Sequence, residues 1–253
     1  MPNLGDFGLG QGRPMDRRAL LAKGLLVSAA TLAGVTDAWA LPVEPTVARL
    51  ETRLFNLKPD LAPDDAAAVI ARFKEEAKAA APAGFLIGQN EDKTPFPTRF
   101  EWIYMVQWPN DPTPESSGGL QSFKSAQDAL AEASVDQAIG EVVGPLPARF
   151  ADAFGIGVRH VVMFSFKPQA TSDDRARIVE AIRAMGRNSK AKRYLVEPHA
   201  PAPTGPDQMD WEVIGDFASM ADFTAYALAP AHLAMRDDFT AHVSRVAFLD
   251  VAL

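Results

Sequence analysis

The sequence predicts an α+β protein built from two copies of one β-α-β-β-α-β module, with the two sheets packed against each other. Three observations support this fold class. One motif recurs at a fixed offset, both copies carry the same order of strand and helix patterns, and one strand is apolar on both faces.

The first observation is a repeat that runs without gaps through half of each copy. The eight residues KPDLAPDD that begin at Lys58 match KPQATSDD from Lys167, an offset of 109 residues. Trp102 and Trp211 match at the same offset. A repeat of this length predicts that each copy is a complete structural unit.

The segment PNDPTPESSGG after Trp108 interrupts the match, and its proline, glycine and serine content is typical of a surface loop. We interpret it as an insertion in the first copy. We therefore expect the offset to fall to 94 residues beyond it, so that Phe123 pairs with Phe217. The copies are then expected to span residues 46–157 and 158–253.

The second copy shows six elements in order. A β-rich segment at 158–167 ends before Pro168, and a helix follows, because Ser172 and two aspartates form a helix-start signal before apolar residues at helical spacing. The later elements are two strands, a helical region interrupted by Pro230 and a last strand, near residues 193–197, 210–217, 220–243 and 245–251. This order is the ferredoxin-like plan.

The first strand of the second copy indicates how the copies are arranged. Its side chains alternate between two faces. Val161 and Met163 lie on one face, and the other carries Val158, His160, Val162, Phe164 and Phe166. Apolar residues on both faces require a cover on both sides of the sheet. Helices of the same copy can cover one side and the sheet of the sister copy the other, which predicts a pseudo-dimeric α/β barrel.

Composition excludes several functional classes. The chain of 253 residues has a formal net charge of −7 and no clustered basic stripe, which argues against nucleic-acid binding. It contains no cysteine, which excludes disulfides, thiolate metal sites, iron–sulfur clusters and cysteine nucleophiles. Neither a GxxxxGK[ST] nor a G-x-S-x-G motif is present, and we expect no cofactor and no metal site.

The first forty residues, 1–40, are predicted to be an export signal. Arg17 and Arg18 precede a short apolar stretch that ends in the Ala-Trp-Ala of residues 38–40, a signal-peptidase type of site. The arginine pair resembles a twin-arginine (Tat) motif, and Met15 just before it is an alternative start of translation. Because the stretch is shorter than the roughly 20 residues of a membrane span, we expect cleavage after Ala40 and a periplasmic protein without a stable membrane anchor.

Three blocks of the second copy resemble the stress-responsive α/β-barrel (Dabb) family. They are VRHVVMFSFKP from Val158, DWEVIGDFASMADFTAYALAPAHLAM from Asp210 and VAFLDVAL from Val246. The most specific marks are the strand histidine and the P-A-H element, whereas the first copy is similar mainly in its periodicity. Family domains commonly form homodimers whose sheets make a barrel. The resemblance therefore implies an internal pseudo-dimer, in which fusion supplies both halves.

The resemblance also implies a site. In a plant polyketide-cyclase branch of the family, a strand histidine, a helix tyrosine and the P-A-H histidine serve the active site, and the matching positions here are His160, Tyr226 and His232. A further histidine of that branch falls on Trp211, a departure from the pattern. In the cyclase role His232 is the general base, Tyr226 its hydrogen-bond partner and His160 an orienting or polarising group.

Two functions of a cleft stay open on the sequence, beside a third possibility in which both clefts are filled and the protein acts through its surface, with the loop at 108–122 as the contact region. The first is a binding or stress-protective role without turnover, in which a small, partly apolar molecule occupies a cleft lined by Phe164, Trp211, Phe217 and Phe223. The alternative is a cyclase-like or other proton-transfer enzyme that uses the same cleft. Each member of the trio also has a structural explanation, as a core histidine, a tyrosine that covers the sheet and a helix-start residue.

The first copy lacks the trio. At the positions that correspond to its members, the two offsets place Glu51, Glu132 and Ala138. This asymmetry predicts one competent cleft and one structural half.

Two further polar residues lie in the Pro-rich segment EPHAPAPTGPD. His199 and Asp207 are two candidate ligands, which are too few for a metal site. We interpret the segment as a solvated loop.

Overall fold

The computed structural model describes residues 46–80, 82–90, 100–109, 118–147, 150–152, 155–200, 205 and 207–253. The expected export signal at residues 1–40 lies outside the described residues. All described residues belong to one compact unit that starts at Val43. Two four-stranded sheets form its framework.

The first repeat is an antiparallel sheet with two helices on one face. Its strands are β1 (Thr46–Leu57), β2 (Gly84–Gln89), β3 (Trp102–Pro109) and β4 (Ser134–Leu146), and its helices are α1 (Pro63–Ala79) and α2 (Gly118–Glu132). The strands lie in the order β2-β3-β1-β4. Helix α1 begins at Pro63, because proline lacks the N–H that a first helical turn leaves unpaired.

The second repeat has the same sheet order, β6-β7-β5-β8. Its elements are β5 (Val158–Phe166), α3 (Ser172–Arg187), β6 (Arg193–Pro198), β7 (Trp211–Phe217), α4 (Met220–Ala227), α5 (Pro230–His242) and β8 (Val243–Ala252). The expected break at Pro230 separates α4 from α5. The cap of α3 is Thr171 rather than the expected serine, because the Thr171 side chain and Asp174 satisfy each other's backbone N–H groups in a capping box.

The two sheets pack face to face, which confirms the expected barrel of two ferredoxin-like repeats. Val161 and Met163 of β5 lie in one buried cluster with Leu50 and Leu54 of β1. Phe164, on the opposite face of β5, packs against the helices of its own repeat. The two-faced strand is therefore covered by the sister sheet on one side and by its own helices on the other.

The offset between the repeats stays at 109 residues, and the expected change to 94 is wrong. Strand β4 starts at Ser134 and β8 at Val243, and each pairs with the first strand of its repeat in the same register. Phe123 lies in α2, whereas Phe217 lies in β7, so these residues are not equivalent. At this constant offset α4 aligns with positions 111–118, so the Pro-rich segment after Trp108 is not an insertion in the sequence.

A buried arginine joins the connection between the repeats to both sheets. The Arg159 side chain is 0 % exposed and makes a two-point ion pair with Asp216 through distances of 2.7 and 2.9 Å. Two further N–H groups donate to the carbonyl oxygens of Phe150 and Ala151 at 2.8 and 2.9 Å, and another donates to Sδ of Met105 in the first sheet at 3.3 Å. The same connection is bonded to the first repeat, because the Ala151 N–H donates to Gln107.

His199 lies beside residues that pair with the edge of the first sheet, so the interpretation of its segment as a solvated loop is wrong for this residue. Backbone hydrogen bonds join Ala200 to Glu141 and Met209 to Ile139 of β4. The His199 side chain is 3 % exposed, and its Nδ1 lies 2.7 Å from the Met209 carbonyl oxygen. The edge strand of a sheet has unpaired N–H and C=O groups, and a neighbouring segment can satisfy them in this way.

Gly140 of β4 allows the two repeats to approach. A Cβ atom at this position would overlap the imidazole of His199 and the terminal methyl of Met163, both from the other repeat. A side chain is excluded here by the close approach and not by backbone conformation, since the only left-handed glycine among the described residues is Gly155.

We predict that Gly140→Ala destabilises the protein by about 1 to 3 kcal/mol, because the added methyl forces packed residues of both sheets apart. Gly144→Ala on the same strand is the matched control, since a Cβ there meets no atom within 4 Å. Urea unfolding of both variants measures the difference. Equal stabilities of the two variants would contradict the prediction.

Candidate functional site

The trio predicted from the sequence is brought together on the helix-covered face of the second sheet. His160 comes from β5, Tyr226 from α4 and His232 from α5. The ring centroids of His160 and Tyr226 are 6.1 Å apart, and those of Tyr226 and His232 are 4.9 Å apart. Tyr226 therefore lies between the two imidazoles, with both contacts edge-on.

His160 is buried and held by a carboxylate that sequence reasoning missed. Its Nδ1 lies 2.6 Å from Oδ1 of Asp250, which sits directly opposite on β8. A carboxylate accepts hydrogen bonds, so this pairing places the imidazole proton on Nδ1. The available signal was a lone aspartate in the otherwise apolar VAFLDVAL, on the helix-facing side of a strand paired with β5.

Tyr226 is engaged by a second residue that the sequence did not reveal. Its hydroxyl oxygen lies 2.8 Å from that of Tyr194 on β6. Burial raises the pKa of Tyr226 to about 12, and the nearby Asp250 carboxylate acts in the same direction. Burial also raises the pKa of Tyr194 well above its ordinary value. Both phenols are therefore protonated at neutral pH and act as hydrogen-bonding groups rather than as bases.

His232 is half-buried at the start of α5, where it is the most accessible polar ring of the trio. Burial lowers its pKa to about 4, and the neighbouring His160 and Arg236 shift it in the same direction. A hydrogen bond to the backbone of Ala227 opposes that shift. The imidazole is thus neutral at pH 7 and is a weak base.

The four predicted lining aromatics divide into two groups. Phe217 and Phe223 surround the trio, since their ring centroids lie 5.1 Å from Tyr226 and 5.2 Å from His160 respectively. Phe164 and Trp211 instead stack on each other at 6.4 Å in a separate cluster below α3 and α5. The structure therefore places only the first pair beside the trio.

The corresponding place in the first repeat holds a different polar group. Glu51, at the position of His160, accepts hydrogen bonds from Tyr104 and Gln127, both at 2.7 Å. The expected counterparts of Tyr226 and His232 are wrong, because Ala138 lies in a strand and the constant offset aligns His232 with Phe123. The asymmetry itself stands, since no residue of the described first repeat is a histidine.

A second buried histidine lies outside this site, between the sheets. His199 Nε2 is 3.6 Å from Oε2 of Glu212, which is 0 % exposed. Neither oxygen of Glu212 has a hydrogen-bond partner within the described ranges. Residue 207 does not join this pair as a third ligand, because no group of three or more His, Asp or Glu residues in the described chain could hold a metal ion.

Comparison of the sequence with protein families identifies the second repeat. Residues 158–253 match the family described as Stress responsive A/B Barrel Domain, or Dabb. The second repeat is thus the part of the chain that matches the Dabb domain. The match begins at the first residue of β5 and includes His160, Tyr226, His232 and Asp250.

Several solved structures are similar to part or most of this chain. An anthrone oxidase-like protein aligns over 83 % of this chain and 93 % of its own, with a TM-score of 0.55 and 12 % identity. A Dabb family protein from Mesorhizobium loti covers 38 % of this chain and 95 % of its own at 22 % identity and a TM-score of 0.33. A dimeric ferredoxin-like protein of unknown function from Thermobifida fusca covers 40 % of this chain and 93 % of its own, at 22 % identity and a TM-score of 0.35. The first of these supports the fold of the tandem chain, and only the fold.

No curated protein sequence matches the chain. Within the described residues, no helix combines the length and apolar character that crossing a membrane requires.

We predict that His232 makes stability depend on pH in mildly acidic solution. The folded protein protonates His232 only near pH 4, whereas the unfolded chain does so near its ordinary pKa of 6.5. The unfolded state therefore binds more protons between these values, and stability is lost as the pH falls through this window.

The measurement compares the unfolding free energy of the natural protein and of His232→Gln at pH 7 and pH 5. The natural protein should lose more stability over this interval than the variant, because all other titrating groups are common to both. Parallel losses in the two proteins would show that His232 is not protected from protonation by the fold.

Proposed function

We propose that the Dabb domain binds a small, partly apolar molecule without turnover, at the surface around the turn between α4 and α5. The observation that carries this proposal is the setting of His232. It is a neutral, half-buried imidazole against the edge of Tyr226, between two exposed leucines in sequence, Leu228 at 51 % and Leu233 at 42 % exposure. An apolar surface with a neutral polar centre suits a molecule with an apolar body and one hydrogen-bonding group.

Protonation and packing both disfavour a general-base mechanism. A base is most effective when its pKa lies near the working pH, and the pKa of His232 is about 4. The hydroxyl of Tyr226 is already bonded to Tyr194, and Nδ1 of His160 to Asp250. The proton-transfer alternative is therefore the weaker candidate, although the same three residues form the site in both.

The burial of the inner residues of the site supports a binding role. His160, Phe223 and Asp250 are buried and in contact with the sheet, so a ligand would meet a preformed wall instead of ordering it. Preorganisation of this kind lowers the entropic cost of association. The family description also connects related domains with stress responses, and we propose a protective role of that kind here.

The ligand proposal is tested with 2-naphthol as the probe, by isothermal titration calorimetry of the full-length chain. We expect saturable binding that Leu233→Asp weakens about tenfold or more, because it replaces apolar contact area with a charge. Val143→Asp is the matched control, since Val143 is an apolar side chain exposed at 53 % but lies on β4 of the first repeat. Binding that both variants reduce equally, or no binding at all, would contradict the proposal.

Turnover is tested separately with a linear aryl poly-β-ketone acid and chromatographic detection of cyclised products. We expect no product above the uncatalysed level in the natural protein. Product that disappears in His232→Ala would replace the binding role by the enzymatic one.

We also propose that the protein is exported by the Tat route to the periplasm and cleaved after Ala40, on the basis of the arginine pair and the Ala-Trp-Ala site. N-terminal sequencing of protein recovered from the periplasmic fraction should begin at Leu41. Substitution of both Arg17 and Arg18 by lysine should retain the uncleaved protein in the cytoplasm, and unaltered export would exclude the Tat route.

A further inference from the structure

The first repeat contains a cleft that is separate from the trio. It has a volume of about 670 Å³ and lies between α1 and the ends of β1 and β3. Its apolar lining includes Leu57, Leu61, Ile70 and Trp102. Small-molecule sites typically occupy roughly 300 to 1,000 Å³ and are mostly apolar, so the cleft has the size and the lining of a ligand site. We name it the first-repeat cleft.

The pseudo-symmetry of the protein shows why this cleft is open. The floor is the same in both repeats, because Phe55 stacks on Trp102 at 6.3 Å as Phe164 stacks on Trp211 at 6.4 Å. The side chains above that floor differ. At the constant offset of 109 residues, Leu57 replaces Phe166 and Ala66 replaces Arg175.

In the second repeat these larger side chains fill the space. The Arg175 guanidinium carbon lies 5.5 Å from the centre of the Phe166 ring, and the Phe166 ring packs edge-on against Trp211. An aromatic ring packed edge-on against the tryptophan is thus what this place in the fold accommodates. The first repeat keeps the tryptophan and lacks that ring, so the ring of an external molecule fits there.

The charged side chains that line the cleft indicate which polar group a ligand would carry beside its ring. Lys58 and Lys74 both border it, and Glu101 is the one acidic residue among its lining side chains. In the second repeat Lys167, the counterpart of Lys58, donates to the carbonyl oxygens of Thr240 and Ala241 at the end of α5. Neither Lys58 nor Lys74 has a salt bridge within the described parts of the chain. Two lysines without ionic partners favour an anion.

We propose that the first-repeat cleft binds a small aromatic carboxylate, with its ring against the Trp102 floor and its carboxylate towards Lys58 and Lys74. This assigns a binding role to the repeat that lacks the histidine trio. The site is independent of the surface around His232, because it belongs to the other sheet and shares no residue with that surface.

The first experiment titrates the full-length chain with 2-naphthoate in a calorimeter and compares two variants of α1. Ala66→Arg introduces the residue that the second repeat carries at the equivalent position, so the fold tolerates it, and it should lower the affinity about tenfold or more by filling the cleft. Ala68→Arg adds the same charge on an exposed part of α1 outside the cleft and should leave the affinity unchanged. Equal affinities of the two variants would overturn the proposal.

The second experiment tests the charge requirement. Lys74→Gln should weaken 2-naphthoate by about two- to fivefold, as expected for a partly exposed ion pair, and should not change the affinity of the neutral analogue 2-naphthamide. The affinity for 2-naphthoate should also fall as the salt concentration rises. Tighter binding of the amide than of the acid, or binding of the acid that is indifferent to Lys74, would exclude a carboxylate as the ligand. A failure of 2-naphthol to bind around His232 would leave both results unaffected, since neither variant lies near that surface.

Discussion

The two repeats depend on one buried cation. Arg159 sits between the sheets with no exposed surface, and every strong hydrogen bond that it donates goes to Asp216 or to the backbone that connects the repeats. Arg193 approaches the same carboxylate at 2.7 Å, so Asp216 is shared by two guanidinium groups. Burying a charge is costly unless it is paired and hydrogen-bonded. The connection must therefore lie where its carbonyl oxygens can accept the hydrogen bonds that Arg159 does not make to Asp216. This links the position of the first repeat to that of the second.

The remainder of the interface follows from that constraint. With the connection held, the apolar faces of β1 and β5 lie opposite each other, and the sheet edge at β4 is hydrogen-bonded to the backbone of Ala200 and Met209. A homodimer must bury an identical surface from each subunit. A fused pair is free of that requirement. Here the contact among Gly140, His199 and Glu212 occurs at one place in the interface and has no counterpart with the same residues at the pseudo-symmetric position.

The same freedom explains why two different sites exist on one repeated framework. The second repeat uses its helix-covered face for a dense set of rings around His160, Tyr226 and Phe223, whereas the first repeat places Glu51, Tyr104 and Gln127 there. At the other end of the face the situation is reversed, since Phe166 and Arg175 close the second repeat while Leu57 and Ala66 leave the first one open. Side-chain volume at a few positions decides which half is accessible, because the strands of the two sheets pair in the same register.

The sequence by itself determined the repeat, the order of the strands and helices and the barrel, and its resemblance to the Dabb family pointed to the members of the trio. Alternation of apolar residues on β5 is a local property of the chain, and a strand that is apolar on both faces has few ways to be covered. Only the tertiary structure decided the hydrogen-bond partners of the buried polar side chains. Asp250, Tyr194 and Arg159 each bond to a residue that lies between 32 and 90 positions away in the sequence. The constant offset was also hidden, because the Pro-rich sequence of the first repeat has no similarity to the α4 sequence with which it aligns. Pairing across strands, burial and the pKa values that follow from them depend on distances in space, which spacing along the chain does not specify.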